Sequence, residues 1–278
     1  MQSDELREME DTDERVSSVF ARVYTKDGAR TDREQWVIKE QPVTLYLNGR
    51  EVVTLLCAGH HLDELALGFF HGEGFLEKRD DLERVVVDGA AGKVEVKTRR
   101  EAALAARLWS KRTVTSGCGK GSVFYHTLDA LLSEPVESGL RISPQQVWER
   151  VEGLNRLSET YRRTHGVHNT ALALPDRILL FRDDIGRHNA VDMIIGHAFL
   201  HDISLKNKIL ITTGRLTSEI LIKAAKVGIP VLVSRNTATT LSVQLAKSLN
   251  ITLIGYARAG KFTVYCGEDR IHTGTGTG

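Results

Sequence analysis

Cysteine is scarce in this chain: three residues in 278, at positions 57, 118 and 266. An odd, widely spaced set is no disulfide framework, and it suits a reducing cytoplasm in which thiols stay available for chemistry. Charge of one sign is missing too. Lys and Arg number 37 against 36 Asp and Glu, so no whole-molecule field draws the chain to nucleic acid or membrane, and any anion site must be local. No apolar run approaches a membrane span, and the opening MQSDELREMEDTDERVSSVF is acidic, with no signal-peptide core. A cytoplasmic protein is expected. The full Walker A pattern and a strict G-x-G-x-x-G are absent, which removes ATPase and dinucleotide-dehydrogenase readings. The zinc-deaminase signature, H-x-E together with P-C-x-x-C, is not met, and no metal is expected.

What the chain does contain divides in three. Residues 1–27 are polar without a strong period and read as a flexible acidic tail. Residues 28–112 read as a small α/β domain. VTLYL alternates, the Asn48-Gly49 pair signals a hairpin, and REVVTLLC follows. Leu62, Leu65 and Phe69 then recur at helical spacing, and LERVVVDGAAGKVEVKT looks like a second strand pair. Residues 113–278 have another rhythm. After a helix entered at Ser143-Pro144, short apolar strands (TALAL, RILLFR, KILITT, PVLVS, ITLIGYA) alternate with helices, with Gly228 and Asn250 where helix C-caps belong. Such alternation predicts a mostly parallel sheet covered on both faces.

Ligands of such sheets sit outside the carboxyl ends of the strands. Here those ends read TTGRLTS, SRNTATT and YARAGK, each bringing a base: Arg215, Arg235, then Arg258 with Lys261. Three basic loops on one edge favour a phosphate-bearing ligand over solvated arginines and simple helix caps. A fourth connection, FRDDIGRHNAVD, places Asn189 as a plausible N-cap and packs Asp183, Asp184, Arg187 and His188 together. Either Asp184 and Arg187 pair to fix the loop beside a structural His188, or the group is catalytic.

Cys118 stands apart from the other two thiols. It lies in TVTSGCGKGS, between Gly117 and Gly119, with Lys111, Arg112 and Lys120 near in sequence. Cationic neighbours lower a thiol pKa from about 8.5. Cys57 ends an apolar strand and Cys266 lies in FTVYCG, so both read as packing residues. A lone nucleophile on a Gly loop beside a phosphate edge suits covalent carriage of a group to a phosphate-bearing acceptor.

Several ordered motifs now combine: EQPVTLYLNG, DELALGFFHGEGF, SGCGKG, DIGRHNAVDMIIG, LTSEILIKAAKVGIPVLVSRNTATTLSVQLAK and ITLIGYARAGKFTVY. Together, over residues 35 to 272, they resemble the FdhD family of formate dehydrogenase accessory proteins. The resemblance implies a cytidine-deaminase-like three-layer core without its zinc, and a homodimer. It implies a sulfurtransferase that takes persulfide sulfur from a cysteine desulfurase and passes it to the molybdenum cofactor, bis-molybdopterin guanine dinucleotide. The cofactor is then inserted into the catalytic subunit of formate dehydrogenase. Cys118 matches the persulfide-bearing cysteine. Tyr256, Ala257, Arg258, Ala259, Gly260 and Lys261 match the cofactor-binding stretch, for which a guanine nucleotide is the natural mimic. Many members carry C-x-x-C in the loop, whereas this chain has Gly121 in the second position. That departure keeps one alternative open: a non-enzymatic chaperone that binds the cofactor without transferring sulfur.

Overall fold

The computed structural model describes residues 13–99 and 134–273. Its first element departs from the tail expected through residue 27: β1 (Val16–Tyr24) pairs antiparallel with β2 (Arg30–Ile38) in a two-stranded ribbon. Gly28, at φ 84°, closes the turn and donates its N–H to Thr25. Both faces of the ribbon are largely exposed, Phe20 being 84% accessible. A strand that buries neither face carries no apolar alternation, which is why the segment reads as a tail.

β3 (Gln41–Leu47) and β4 (Arg50–Cys57) form the hairpin expected around Asn48-Gly49, whose φ angles of 51° and 79° suit a tight primed turn. β5 (Leu82–Asp88) and β6 (Lys93–Thr98) complete a four-stranded sheet of order β4-β3-β6-β5. Val43, Leu45, Leu47, Val94 and Val96 point to one face, where α1 (Leu62–Glu73) covers them with Leu65, Phe69 and Phe70.

The larger sheet has the order β12-β11-β10-β9-β7-β8. Its strands are β7 (His168–Ala173), β8 (Ile178–Asp184), β9 (Ile209–Thr212), β10 (Val231–Ser234), β11 (Thr252–Arg258) and β12 (Lys261–Cys266). β9, β10 and β11 are parallel, as expected, and every residue of β9 and β10 is buried. The sheet as a whole is mixed rather than mostly parallel: β7–β8, β7–β9 and β11–β12 are antiparallel. Chain length decides this. Only Leu174 to Arg177 link β7 to β8, and only Ala259 and Gly260 link β11 to β12, whereas a parallel pair needs a crossover of about a dozen residues.

Helices cover both faces. α2 (Pro144–Leu157) packs Val147, Val151 and Leu154 on one; α4 (Arg187–Leu200), α5 (Ser218–Lys226) and α6 (Thr240–Ser248) lie on the other. Ser143 caps α2 through a reciprocal bond with Gln146. Ser158 interrupts what the sequence presents as one helix and caps the short α3 (Glu159–Thr164), its Oγ accepting from the Tyr161 N–H.

The two sheets share α4, which lies between the large sheet and α1. Gly68 of α1 and Gly196 of α4 meet at the crossing: a methyl on Gly68 would lie 1.7 Å from the Asp192 carbonyl oxygen, and one on Gly196 1.8 Å from that of Glu64. Beside the crossing Lys223 is buried, its Nζ 2.7 Å from Asp192 and 3.4 Å from Glu73. Burial opposes its charge, but the two carboxylates outweigh that and hold the ammonium above its ordinary pKa.

Candidate functional site

The carboxyl ends of β8, β9, β10 and β11 share one edge, and antiparallel β7 begins there, so His168 joins it opposite Asp184. The cofactor-matching stretch occupies the β11–β12 hairpin. Ala259 and Gly260 form its two-residue turn at φ 52° and 76°, with Arg258 and Lys261 paired across it. Register shifts between Gly255 and Arg258, and Tyr256 sits at φ 51°, a strained position for a bulky residue. Its N–H is held by the Asn236 carbonyl at 2.9 Å, and the Arg258 guanidinium lies 5.5 Å from its ring centre. Tyr256, Arg258, Ala259, Gly260 and Lys261 are exposed. Ala257 is fully buried, its methyl in the core beneath α2, so that residue has no side-chain access to a ligand.

The three basic loops do not act alike. Arg235 donates to Asn155 of α2 at 2.8 Å and is drawn to that face of the sheet. Arg215 is exposed and makes no ion pair among the described residues. In the fourth connection Gly186, not Asn189, is the N-cap of α4. Asn189 instead donates to the Leu56 carbonyl (2.8 Å) and to Asp184 (2.7 Å). Asp184 also accepts from the Ala58 and Gly186 N–H groups, so its carboxylate turns inward and ties the small sheet to the large one. Burial raises its pKa despite those bonds. His188 lies 2.9 Å from Glu219 of α5, which bridges two helix starts.

Asp183 faces the opposite way, beside a cleft of about 380 Å³ lined by Arg15, His60, His61, Thr160 and Arg163. Arg15 bonds Asp183 at 2.6 Å and Asp13 at 2.8 Å, and Ser158 and His60 close around the same carboxylate. Burial raises the Asp183 pKa, but His60 and Arg15 outweigh it and hold it down at about 2. Because the folded value lies below the unfolded one, near 4, its stabilisation is complete above about pH 4 and is lost as pH falls toward 2. Asp183→Asn is expected to cost roughly 2 kcal/mol at pH 7 and to flatten stability between pH 4 and 2, measured by urea unfolding at each pH.

Of the three cysteines, Cys118 and its glycine loop lie outside the described residues. Cys57 is fully buried at the end of β4, its thiol 3.5 Å from the Gln41 carbonyl and pushed up to about 11 by burial. Cys266 packs on β12, 3.4 Å from the Ile251 carbonyl, and burial raises it as well. The H-x-E triplet His71 to Glu73 is committed within the fold: His71 contacts the Leu76 carbonyl at 2.6 Å and Glu73 pairs with Lys223. Among the described residues no His, Cys, Asp and Glu side chains converge as metal ligands, and no helix is long and apolar enough to cross a membrane.

Fold and site together define a mixed α/β protein with Arg215, Arg235, Arg258 and Lys261 at the carboxyl ends of the parallel strands of its larger sheet. A family model described as FdhD/NarQ matches residues 38–272. The sulfur carrier protein FdhD of Bacillus subtilis (strain 168) is 39% identical over 238 residues, spanning 86% of this chain and 91% of the relative. That of Staphylococcus aureus (strain MRSA252) is 38% identical over 249 residues, spanning 90% and 94%. A crystallised candidate formate dehydrogenase accessory protein from Desulfotalea psychrophila superposes with a TM-score of 0.78 at 25% identity, covering 93% of this chain and 100% of its own. The chain belongs to the FdhD/NarQ family.

Proposed function

We propose that the protein is a sulfur carrier serving formate dehydrogenase, with Cys118 as the carrying thiol. The carrying observation is the division among its thiols. Cys57 and Cys266 are packed, hydrogen-bonded and held protonated, which leaves Cys118, in its Gly-flanked basic loop, for thiolate chemistry. The Cys118 thiolate attacks the outer sulfur of a cysteine desulfurase persulfide. A new S–S bond forms on Cys118 as the donor's S–S bond breaks, and the donor leaves as a thiolate, with no net oxidation. In the second transfer the Cys118 S–S bond breaks, Cys118 leaves as a thiolate, and the outer sulfur passes to the molybdenum cofactor, bis-molybdopterin guanine dinucleotide. A thiol reductant supplies the two electrons that take this sulfur to the sulfide level. The cofactor is the client delivered to the dehydrogenase catalytic subunit. The FdhD names of the relatives support this assignment. We read the large sheet with its two helical layers as the deaminase-like core and the protein as a homodimer.

The β11–β12 hairpin is the cofactor-binding stretch in this reading, supported by exposed Arg258 and Lys261 around a strained Tyr256. Arg258→Glu/Lys261→Glu is expected to weaken GDP binding by about tenfold or more, since charge-assisted phosphate bonds are each worth roughly 1.5–3 kcal/mol. Cys118→Ala is expected to bind as wild type. Calorimetric titration checks both; GDP binding indifferent to the double reversal would remove the hairpin from the site.

A further inference from the structure

Edge strands normally carry a guard against pairing with other chains: charges, a proline or a bulge. The outer strands of the two larger sheets, β4, β5, β8 and β12, each show an irregularity in register with the strand beside them. β1 has no such guard. It runs against β2 for nine consecutive pairs without a shift, contains neither lysine nor proline, and carries a single charge, Arg22. β2 differs, holding Arg30, Asp32, Arg33 and Glu34. The ribbon is held to the body at its base, where the Arg163 guanidinium lies 4.4 Å from the Trp36 ring centre and Ile38 packs on Gly166. Two strands on their own are marginal in water.

The ladder fixes which backbone groups of β1 are open. The Lys39 N–H bonds the Arg15 carbonyl at 2.7 Å, and the Thr25 N–H bonds the Ala29 carbonyl at 3.0 Å, one at each end of the ribbon. Polar groups alternate in direction along an antiparallel strand, so Ser17, Val19, Ala21 and Val23 direct theirs at β2. Ser18, Phe20, Arg22 and Tyr24 therefore direct N–H and C=O at the free edge, where all four residues are exposed. These backbone groups have no partner among the described residues. The same four side chains share one face of the ribbon, with Phe20 84% and Tyr24 65% exposed.

We propose that β1 is a dimerisation strand, pairing antiparallel with β1 of a second copy across a two-fold axis at Phe20. Phe20 is the midpoint of Val16–Tyr24, so this register overlaps the whole strand. It is also an outward-bonding residue, so the pair at the axis exchanges both backbone bonds. Arg22 then faces Ser18 of the copy rather than another arginine. The same operation on β2, whose midpoint is Glu34, would set two carboxylates against each other. The product is a four-stranded sheet with an aromatic stripe from Phe20 and Tyr24 of both copies, and the two-fold closes it against further growth. This rests on the homodimer read above and gives it a contact surface; sulfur carriage by Cys118 does not enter.

The test is sedimentation velocity of the full chain over a concentration series. Wild type is expected to sediment as a dimer. Phe20→Lys places like charges at the axis, and Ser18→Pro removes an outward N–H without touching the β1–β2 ladder. Each is expected to weaken the dimer about tenfold or more, with circular dichroism unchanged. Val87→Lys, at an exposed site on β5, the open edge of the small sheet, is expected to leave the dimer intact. In a Cys118→Ala background, Phe20→Cys is expected to cross-link to its own copy on mild oxidation, since the Cα atoms of such a pair lie about 5.5 Å apart. A dimer untouched by Phe20→Lys and Ser18→Pro overturns the strand pairing and leaves the homodimer standing. So does a dimer broken by Val87→Lys, or one in which Phe20→Cys does not cross-link. A monomeric wild type overturns both, and the edge is then open to a strand of another protein.

Discussion

Gly68→Ala is expected to cost about 3–5 kcal/mol, although helix propensity alone favours alanine by about 1 kcal/mol. The sign follows from what the methyl meets. The obstacle at 1.7 Å is the Asp192 carbonyl, a backbone atom inside a helix buried on both sides, so neither helix can yield locally. The helices must part, which opens the α1–α4 core and draws Lys223 away from Asp192 and Glu73. For a chain of this size the midpoint of thermal unfolding should fall by roughly 10 °C. Gly153→Ala is the control: its methyl would meet only the movable Cδ1 of Ile178, at 2.9 Å, so the cost should stay within about 1 kcal/mol. Equal midpoints for the two variants would contradict the close crossing.

Cys118→Ala is expected to abolish maturation of formate dehydrogenase in cells that depend on this chain, while the purified variant keeps the wild-type unfolding midpoint and GDP affinity. No other thiol is placed to substitute. Cys57 is fully buried, and Cys266 lies within β12 with its pKa raised. Formate-dependent dye reduction in extracts reads the outcome. Activity persisting in the variant favours cofactor binding without sulfur transfer, the reading that Gly121 in place of a second loop cysteine leaves open.

Much of this architecture is legible in short sequence patterns. The hairpin at Asn48-Gly49, the cap at Ser143 and the fully buried parallel strands each follow from local rules that the packing obeys. Other features needed signals of a different kind. The Asp27-Gly28 turn could have revealed the β1–β2 ribbon, but strands exposed on both faces give no alternation to frame it. The antiparallel edges of the large sheet are readable only by weighing the brevity of the links at 174–177 and 259–260 against what a crossover requires. At the site, the basic strand ends were visible, but their directions were not. Ala257 faces the core, Arg235 is drawn to α2, and Asn189 serves Asp184 rather than capping α4. The Arg15–Asp183 pair joins residues 168 positions apart, a distance over which no local pattern speaks.

Sulfur carriage by Cys118 is read out by intact-protein mass after incubation with a cysteine desulfurase and cysteine. Wild type is expected to gain the mass of one sulfur, removed by reductant and absent from Cys118→Ala. An unshifted wild-type mass, under conditions that load a relative with two loop cysteines, would contradict it.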